Sequence, residues 1–348
     1  MKRSEKQQGI INELRRRIVR GTYPPGSRIP PRTAIEREFA ASTVTVQKAL
    51  ARLIHEEFLV ACNQHGTFVA EHPPHLSNYA LLLAHHHGDR WSQFVCALCD
   101  GFATLQQTRG LRILTYFGFP RPSDIDKYNE LLSLAASQRL AGMIFAFLPS
   151  LVAGTPLLDD PSMPKAAILT QRMGCPIPAV CIDYHSFFNS ALDYLKEQGR
   201  RKIALISIHD TLEYLGYDIA AGLSERGMEM RPCWWQRLDM DQAEAARERV
   251  HLLMHAGRSE RPDGLIISDD NHVEAATAGL VDAGVRVPDD LTVVAHANFP
   301  LPTHSCVKAK RLGFDCVRLI HLAVDSIDAQ RRGLPHPQFM SVQATSKE

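Results

Sequence analysis

The stretch that decides the reading is residues 24–70, PPGSRIPPRTAIEREFAASTVTVQKALARLIHEEFLVACNQHGTFVA. Its middle carries Val46, Ala49, Leu50, Leu53 and Ile54, the three-and-four spacing of one buried helical face. Ser42 directly precedes that stripe and has the side chain of a helix N-cap, so the pattern predicts a helix over residues 43–57. Upstream, Ile35 and Phe39 stand four apart in a shorter helix expected over residues 32–40, ended by a break at Ala41-Ser42. Pro24, Pro25 and Gly26 forbid a helix through the turn before it. Further out, Ile10, Ile11, Leu14 and Ile18 recur at helical spacing up to Gly21. Downstream, FLVAC and TFVA read as short apolar strands joined by NQHG.

Helix, helix, short turn, helix and a two-stranded wing is the order of a winged helix-turn-helix. A capped helix N-terminus presents free N–H groups and partial positive charge to a phosphate. Ser42, Thr43, Thr45, Gln47 and Lys48 can hydrogen-bond base edges or phosphates there, and Val44 can pack on a thymine methyl. Gly66 lets the wing backbone approach the sugar-phosphate chain, with His65 and Thr67 as donors. Arg28 in the turn, and Arg32 and Thr33 at the start of the second helix, complete the expected DNA-facing set.

These residues resemble the DNA-binding domain of the GntR regulators. The Pro-Gly-x-Arg-apolar-Pro stretch stands as Pro25, Gly26, Arg28, Ile29 and Pro30. The Ser-x-x-Thr-Val-x-x-Ala-Leu stretch stands as Ser42, Thr45, Val46, Ala49 and Leu50, and the wing as Gly66 to Val69. The resemblance implies arginines where this chain has Thr33, Thr43 and Gln47, with Arg32 beside the first. Phosphate contacts set much of the affinity and its salt dependence, so weaker non-specific binding and a different half-site preference are expected.

The chain has 348 residues, 45% hydrophobic and 22% charged, which suits a small domain followed by a larger α/β one. Net charge is +1 but uneven: residues 1–70 hold 12 Lys and Arg against 6 Glu, and the remainder is net acidic. A basic head on an acidic body fits a polyanion partner. No apolar run spans a membrane, and residues 1–21 lack the apolar segment of a secretory signal, so a cytoplasmic protein is expected. The eight cysteines are expected to be free thiols, including the close pair Cys96 and Cys99. His85, His86 and His87 are successive and would not all face one metal on a strand. No metal and no cofactor is implied.

AEHPPHLSN, around residues 71–78, reads as a stiff extended linker. From residue 79 onward, apolar strands alternate with amphipathic helices. The strands are YALLLAH, RILTYFG, GMIFAFL, KAAILTQ, AVCIDY, KIALISI, GLIISDD and LTVVAHA. Such alternation implies parallel sheets covered by helices, here too many units for one sheet and so two lobes. Ligands in such folds sit at the C-terminal strand ends.

This portion resembles the sensor domain of the LacI/GalR regulators, itself like periplasmic sugar-binding proteins. LAGMIFAFLP, IPAVCIDY, ALDYLKEQGRRKIALIS, LGYDIAAGLSERG, RPDGLIISDDN and VPDDLTVVAHAN carry it, in order. The resemblance places Asp183 and Asp269 in the effector cleft. It implies an Arg where Glu213 stands, and an Asp after an aromatic residue where the chain reads Ala295-His296-Ala297. Asp183, Glu213, Asp269 and His296 therefore favour a sugar-like or amine-bearing ligand over a plain hexose.

The expectation is a regulator, a repressor that binds a palindromic operator in double-stranded DNA as a homodimer, with a small-molecule effector between the lobes. The alternative is a degenerate sensor that acts through protein contacts. The chain carries no Gly-x-Ser-x-Gly, no phosphate-binding Gly-x-x-x-x-Gly-Lys and no Gly-x-Gly-x-x-Gly, so no enzyme activity is expected. His251 and His255 stand four apart but lack the Glu of a zinc protease; they suit a helix C-terminus.

Overall fold

The computed structural model describes residues 3–84, 92–119, 125–170, 174–208, 216–255 and 261–347. His85 to His87 and Glu213 lie outside the described residues.

The head is built from α1 (Arg3–Val19), α2 (Arg32–Glu38), α3 (Thr43–His55), β1 (Leu59–Cys62) and β2 (Gly66–Val69). The apolar stripes meet in one core of Ile10, Leu14, Ile35, Val46, Leu53, Phe58 and their neighbours. β1 and β2 pair antiparallel, with Cys62 opposite Gly66. Gln64 at φ 63° and Gly66 at φ 107° turn the hairpin. This is the winged helix-turn-helix expected from the pattern.

The connector differs from the extended linker expected. Pro74 opens a single helical turn, Pro74–Ser77, a position that suits its fixed φ and missing N–H. The Ser77 hydroxyl donates toward the His72 and Pro73 carbonyls, and Pro73, His75 and Ser77 are buried.

Beyond it lie two parallel sheets. The strands are β3 (Asn78–Leu83), β4 (Arg112–Tyr116), β5 (Gly142–Ala146), β6 (Lys165–Leu169), β7 (Ala179–Asp183), β8 (Ile203–Ile208), β9 (Trp235–Leu238), β10 (Gly264–Ile267), β11 (Thr292–Phe299), β12 (Lys310–Asp315) and β13 (Phe339–Gln343). One sheet has the order β13-β7-β6-β5-β3-β4, the other β12-β11-β10-β8-β9. Single turns aside, the helices are α4 (Gln93–Arg109), α5 (Ile125–Ala136), α6 (Tyr184–Glu197), α7 (Ile219–Ser224), α8 (Ala243–His255), α9 (Val273–Asp282) and α10 (Cys316–Arg331). β3, β5, β6 and β10 are buried along most or all of their length, as strands covered on both faces must be.

The reading missed β9, β12 and β13, and all three are edge strands. β13 is exposed at alternate positions, β9 carries Gln236 and Arg237, and β12 opens on Lys310 and Arg311, so none of the three shows a continuous apolar run. It also missed α10, although Leu319, Ile320, Ala323, Val324 and Ile327 repeat at helical spacing and are fully buried. By compactness the chain divides into two units, residues 1–87, 105–166 and 326–336, and residues 88–104, 167–325 and 337–348. Among the described residues no helix is long and apolar enough to cross a membrane.

Candidate nucleic-acid interface and effector site

The N-terminus of α3 is fixed by Ser42, whose backbone is extended and whose carbonyl and hydroxyl accept the Thr45 N–H at 2.9 and 3.4 Å. The Ser42 and Thr45 hydroxyls also lie 2.9 Å apart. Thr45 is thereby buried at 5% exposure, and its hydroxyl serves the cap rather than facing outward. Thr43, Val44, Gln47 and Lys48 remain exposed on the same turn and a half. Val44 is 46% exposed, an apolar side chain left in water on an otherwise buried-stripe helix.

Arg28 is exposed and its residue bridges Phe68 of the wing. Its guanidinium lies where a side chain on Gly66 would be: a Cβ there would meet Arg28 Nε at 2.8 Å. Wing glycine and turn arginine thus form one surface, a pairing the sequence reading did not make. His65 is exposed at the wing tip with Nδ1 2.8 Å from the Asn63 carbonyl, and Thr67 is half-buried. Arg32 and Thr33 are exposed at the start of α2, with Arg32 at 3.2 Å from Glu36.

The effector residues are less uniform. Asp183 ends β7 and caps α6, its carboxylate accepting the Ser186 N–H at 3.0 Å. Asp269 accepts from the Asn271 backbone at 3.0 Å and side chain at 2.7 Å. His296 is 2% exposed, in the middle of β11. Its ring stacks on Tyr184 at 5.9 Å and meets Phe187 and Phe314 at 5.3 and 5.6 Å. Its Nδ1 lies 3.8 Å from Asp270, which is 1% exposed and accepts from Asn298 Nδ2 at 2.7 Å. Neither His296 nitrogen has a hydrogen-bond partner among the described residues.

The buried His296 and Asp270 therefore share one neighbourhood with the half-buried Asp269 and Tyr184. Burial, together with the charge of Asp270, raises the Asp269 carboxyl above its ordinary value. Burial, with Asp269 and Asp270 nearby, pushes the Tyr184 hydroxyl up. Asp183 is next to Tyr184 in sequence, but its carboxylate is turned to the helix cap. Asp270 and Asn298 were missed, and the signal was present: Asn298 stands two residues from His296 and so on the same face of β11.

None of the eight cysteines, all of them among the described residues, is in a disulfide. Among the described residues no group of three or more His, Cys, Asp or Glu is placed to hold a metal.

Comparison with known proteins gives the same division. Residues 6–69 match the model of the bacterial regulatory proteins, gntR family, and residues 192–345 that of the periplasmic binding protein-like domain. The head is 37% identical over 62 residues to the mannosyl-D-glycerate transport/metabolism system repressor MngR of Escherichia coli (strain K12). That match covers 18% of this chain and 26% of the repressor, so the chain spans about a quarter of that relative. A longer match, 26% identical over 241 residues, is to the HTH-type transcriptional repressor PurR of Mannheimia succiniciproducens and covers 65% of this chain and 70% of that one. A regulatory protein of LacI family from Chloroflexus aggregans shares the fold at a TM-score of 0.62 and 14% identity, over 77% of this chain and 96% of that one. Residues 6–69 are a GntR-family helix-turn-helix domain, and residues 192–345 are a periplasmic-binding-protein-like domain fused behind it.

Proposed function

We propose that this chain is a transcriptional regulator and not an enzyme: a repressor that binds a palindromic operator as a homodimer, its DNA affinity set by a small molecule. Residues 1–70 read DNA, residues 71–78 connect, and residues 79–348 sense and dimerise. The observation that carries the reading is the exposed row Thr43, Val44, Gln47 and Lys48 on a helix N-terminus, with Arg28 held against the wing glycine. Base edges are read by such a helix in the major groove, and phosphates by the flanking basic groups. The relatives are repressors by name, which agrees. The protein belongs in the cytoplasm, where its DNA is.

For the effector, the support is His296. A buried ring with two unbonded nitrogens lacks about 1–3 kcal/mol of hydrogen bonding that a ligand can supply. With Asp269 and Tyr184 beside it, an amine-bearing or polyhydroxyl ligand fits. The second reading, a sensor that binds no small molecule, draws on the carboxylates of Asp183, Asp269 and Asp270, each already bonded within the chain.

The test is a gel shift of the purified chain on DNA from its own promoter region at moderate salt, with a thermal-shift screen of metabolites. A shift, relieved by one metabolite that also raises the melting temperature, supports the first reading. No shift on any neighbouring fragment overturns it.

A further inference from the structure

The first compact unit contains both the head and the start of the sensor, and a chain of side chains joins them. In the head, Arg15 and Glu56 form a buried ion pair at 2.5 Å, and Arg15 lies 5.5 Å over the Phe58 ring. Phe58 stacks on His75 of the connector, centroids 5.8 Å apart and planes 15° from parallel. Arg331, the last residue of α10, donates to the His75 carbonyl at 3.2 Å and to Asp328 at 3.1 Å. Asp328 in turn accepts the Tyr79 hydroxyl at 2.5 Å, at the start of β3. A second, exposed ion pair joins Arg112 on β4 to Glu57, just past α3, at 3.1 Å.

A tether that only kept the head near the sensor would need none of this. Buried aromatic stacking and guanidinium bonds fix an orientation.

We infer that the Arg15–Phe58–His75–Arg331 contact is a latch through which the sensor sets the position of the DNA-reading head. His75 and Arg331 are positioning residues: they touch neither DNA nor effector. This rests on the proposed regulator function for its purpose, though not for its mechanics.

The test is calorimetry of the full chain and of His75→Ala, His75→Phe and Arg331→Met. We expect the wild type to melt its head and sensor together. His75→Ala and Arg331→Met split off an early transition carrying about a fifth of the enthalpy, the head's share by length. His75→Phe keeps the stack on Phe58 and keeps the single transition. A wild type that already melts in two independent steps overturns the latch, as do Ala and Met variants that keep one transition at a lower temperature. The same proteins are titrated onto a promoter fragment. Loss of the latch is expected to weaken binding about tenfold, because two loose heads no longer hold a fixed half-site spacing. Split melting with unchanged affinity overturns the positioning role. If no protein, wild type included, binds any fragment, the regulator reading fails while the calorimetric result still judges the latch.

Discussion

The imidazole of His296 stands 3.8 Å from the carboxylate of Asp270, with both side chains at most 2% exposed, yet no hydrogen bond joins them. Asp270 is instead held by Asn298, and the His296 ring is left inside a box of Tyr184, Phe187 and Phe314. An aromatic box needs no imidazole to fill it. The His296→Phe variant is therefore expected to pack as well, lose two unbonded nitrogens, and raise the melting temperature by about 2–5 °C. Thermal unfolding without added ligand decides it: a fall of several degrees would show that the ring is already bonded in the free protein.

The wing offers a second expectation. Gly66 has φ 107°, which side chains rarely adopt, and a Cβ there would strike Arg28 Nε at 2.8 Å. Gly66→Ala should cost the head about 1–2 kcal/mol and displace the Arg28 guanidinium from the wing. Both denaturant unfolding and promoter binding should fall. Unchanged binding would sink the idea that Arg28 and the wing act as one surface.

Much of this is legible in the amino-acid sequence itself. The head's helices follow from Ile10, Leu14, Ile35, Val46 and Leu53, because a small domain has one core and every stripe must face it. The buried central strands announced themselves as apolar runs. The edge strands β9, β12 and β13 did not, since polar residues interrupt each of them: Gln236 and Arg237, Lys310 and Arg311, Ser341 and Gln343. The site was legible only in part. Asp183 ends β7 and Asp269 stands two residues past β10, and such a carboxylate can turn into a cleft or back onto the next helical turn. Here Asp183 caps Ser186 and Asp269 holds Asn271, which spacing does not encode. Nor did the sequence distinguish Thr45 from Thr43, two positions apart on α3 and on opposite sides of its burial boundary.

That last difference separates two substitutions. Thr45→Ala removes the buried contact with Ser42 and should lower head stability by about 1 kcal/mol. Gln47→Ala removes an exposed side chain and should leave stability within about 0.5 kcal/mol while weakening promoter binding. Lys48→Ala should also spare stability, and lower the slope of log affinity against log salt by about one. Unfolding curves and binding at several salt concentrations check all three. A Gln47→Ala protein that loses stability but binds DNA normally would reverse the assignment.

The latch should answer to acid. Burial, with the Arg331 charge beside it, lowers the His75 pKa from 6.5 to about 4. The folded chain thus favours the neutral ring, while the unfolded chain takes up the proton at its ordinary value. Between these values the unfolded state binds more protons, so stability is full above about pH 6.5 and is lost as pH falls toward 4. The shift corresponds to a loss on the order of 3 kcal/mol at its lower end. Glu56 adds a separate loss at lower pH. Burial alone would raise its carboxyl, but hydrogen bonds from Arg15 and Arg52 override that and hold it below its ordinary value, so its contribution disappears only as it protonates. Urea unfolding at pH 7, 5.5 and 4.5 should therefore show wild-type stability declining, and His75→Phe declining much less over the same interval. Parallel declines in the two proteins would place the acid sensitivity elsewhere than the His75 ring.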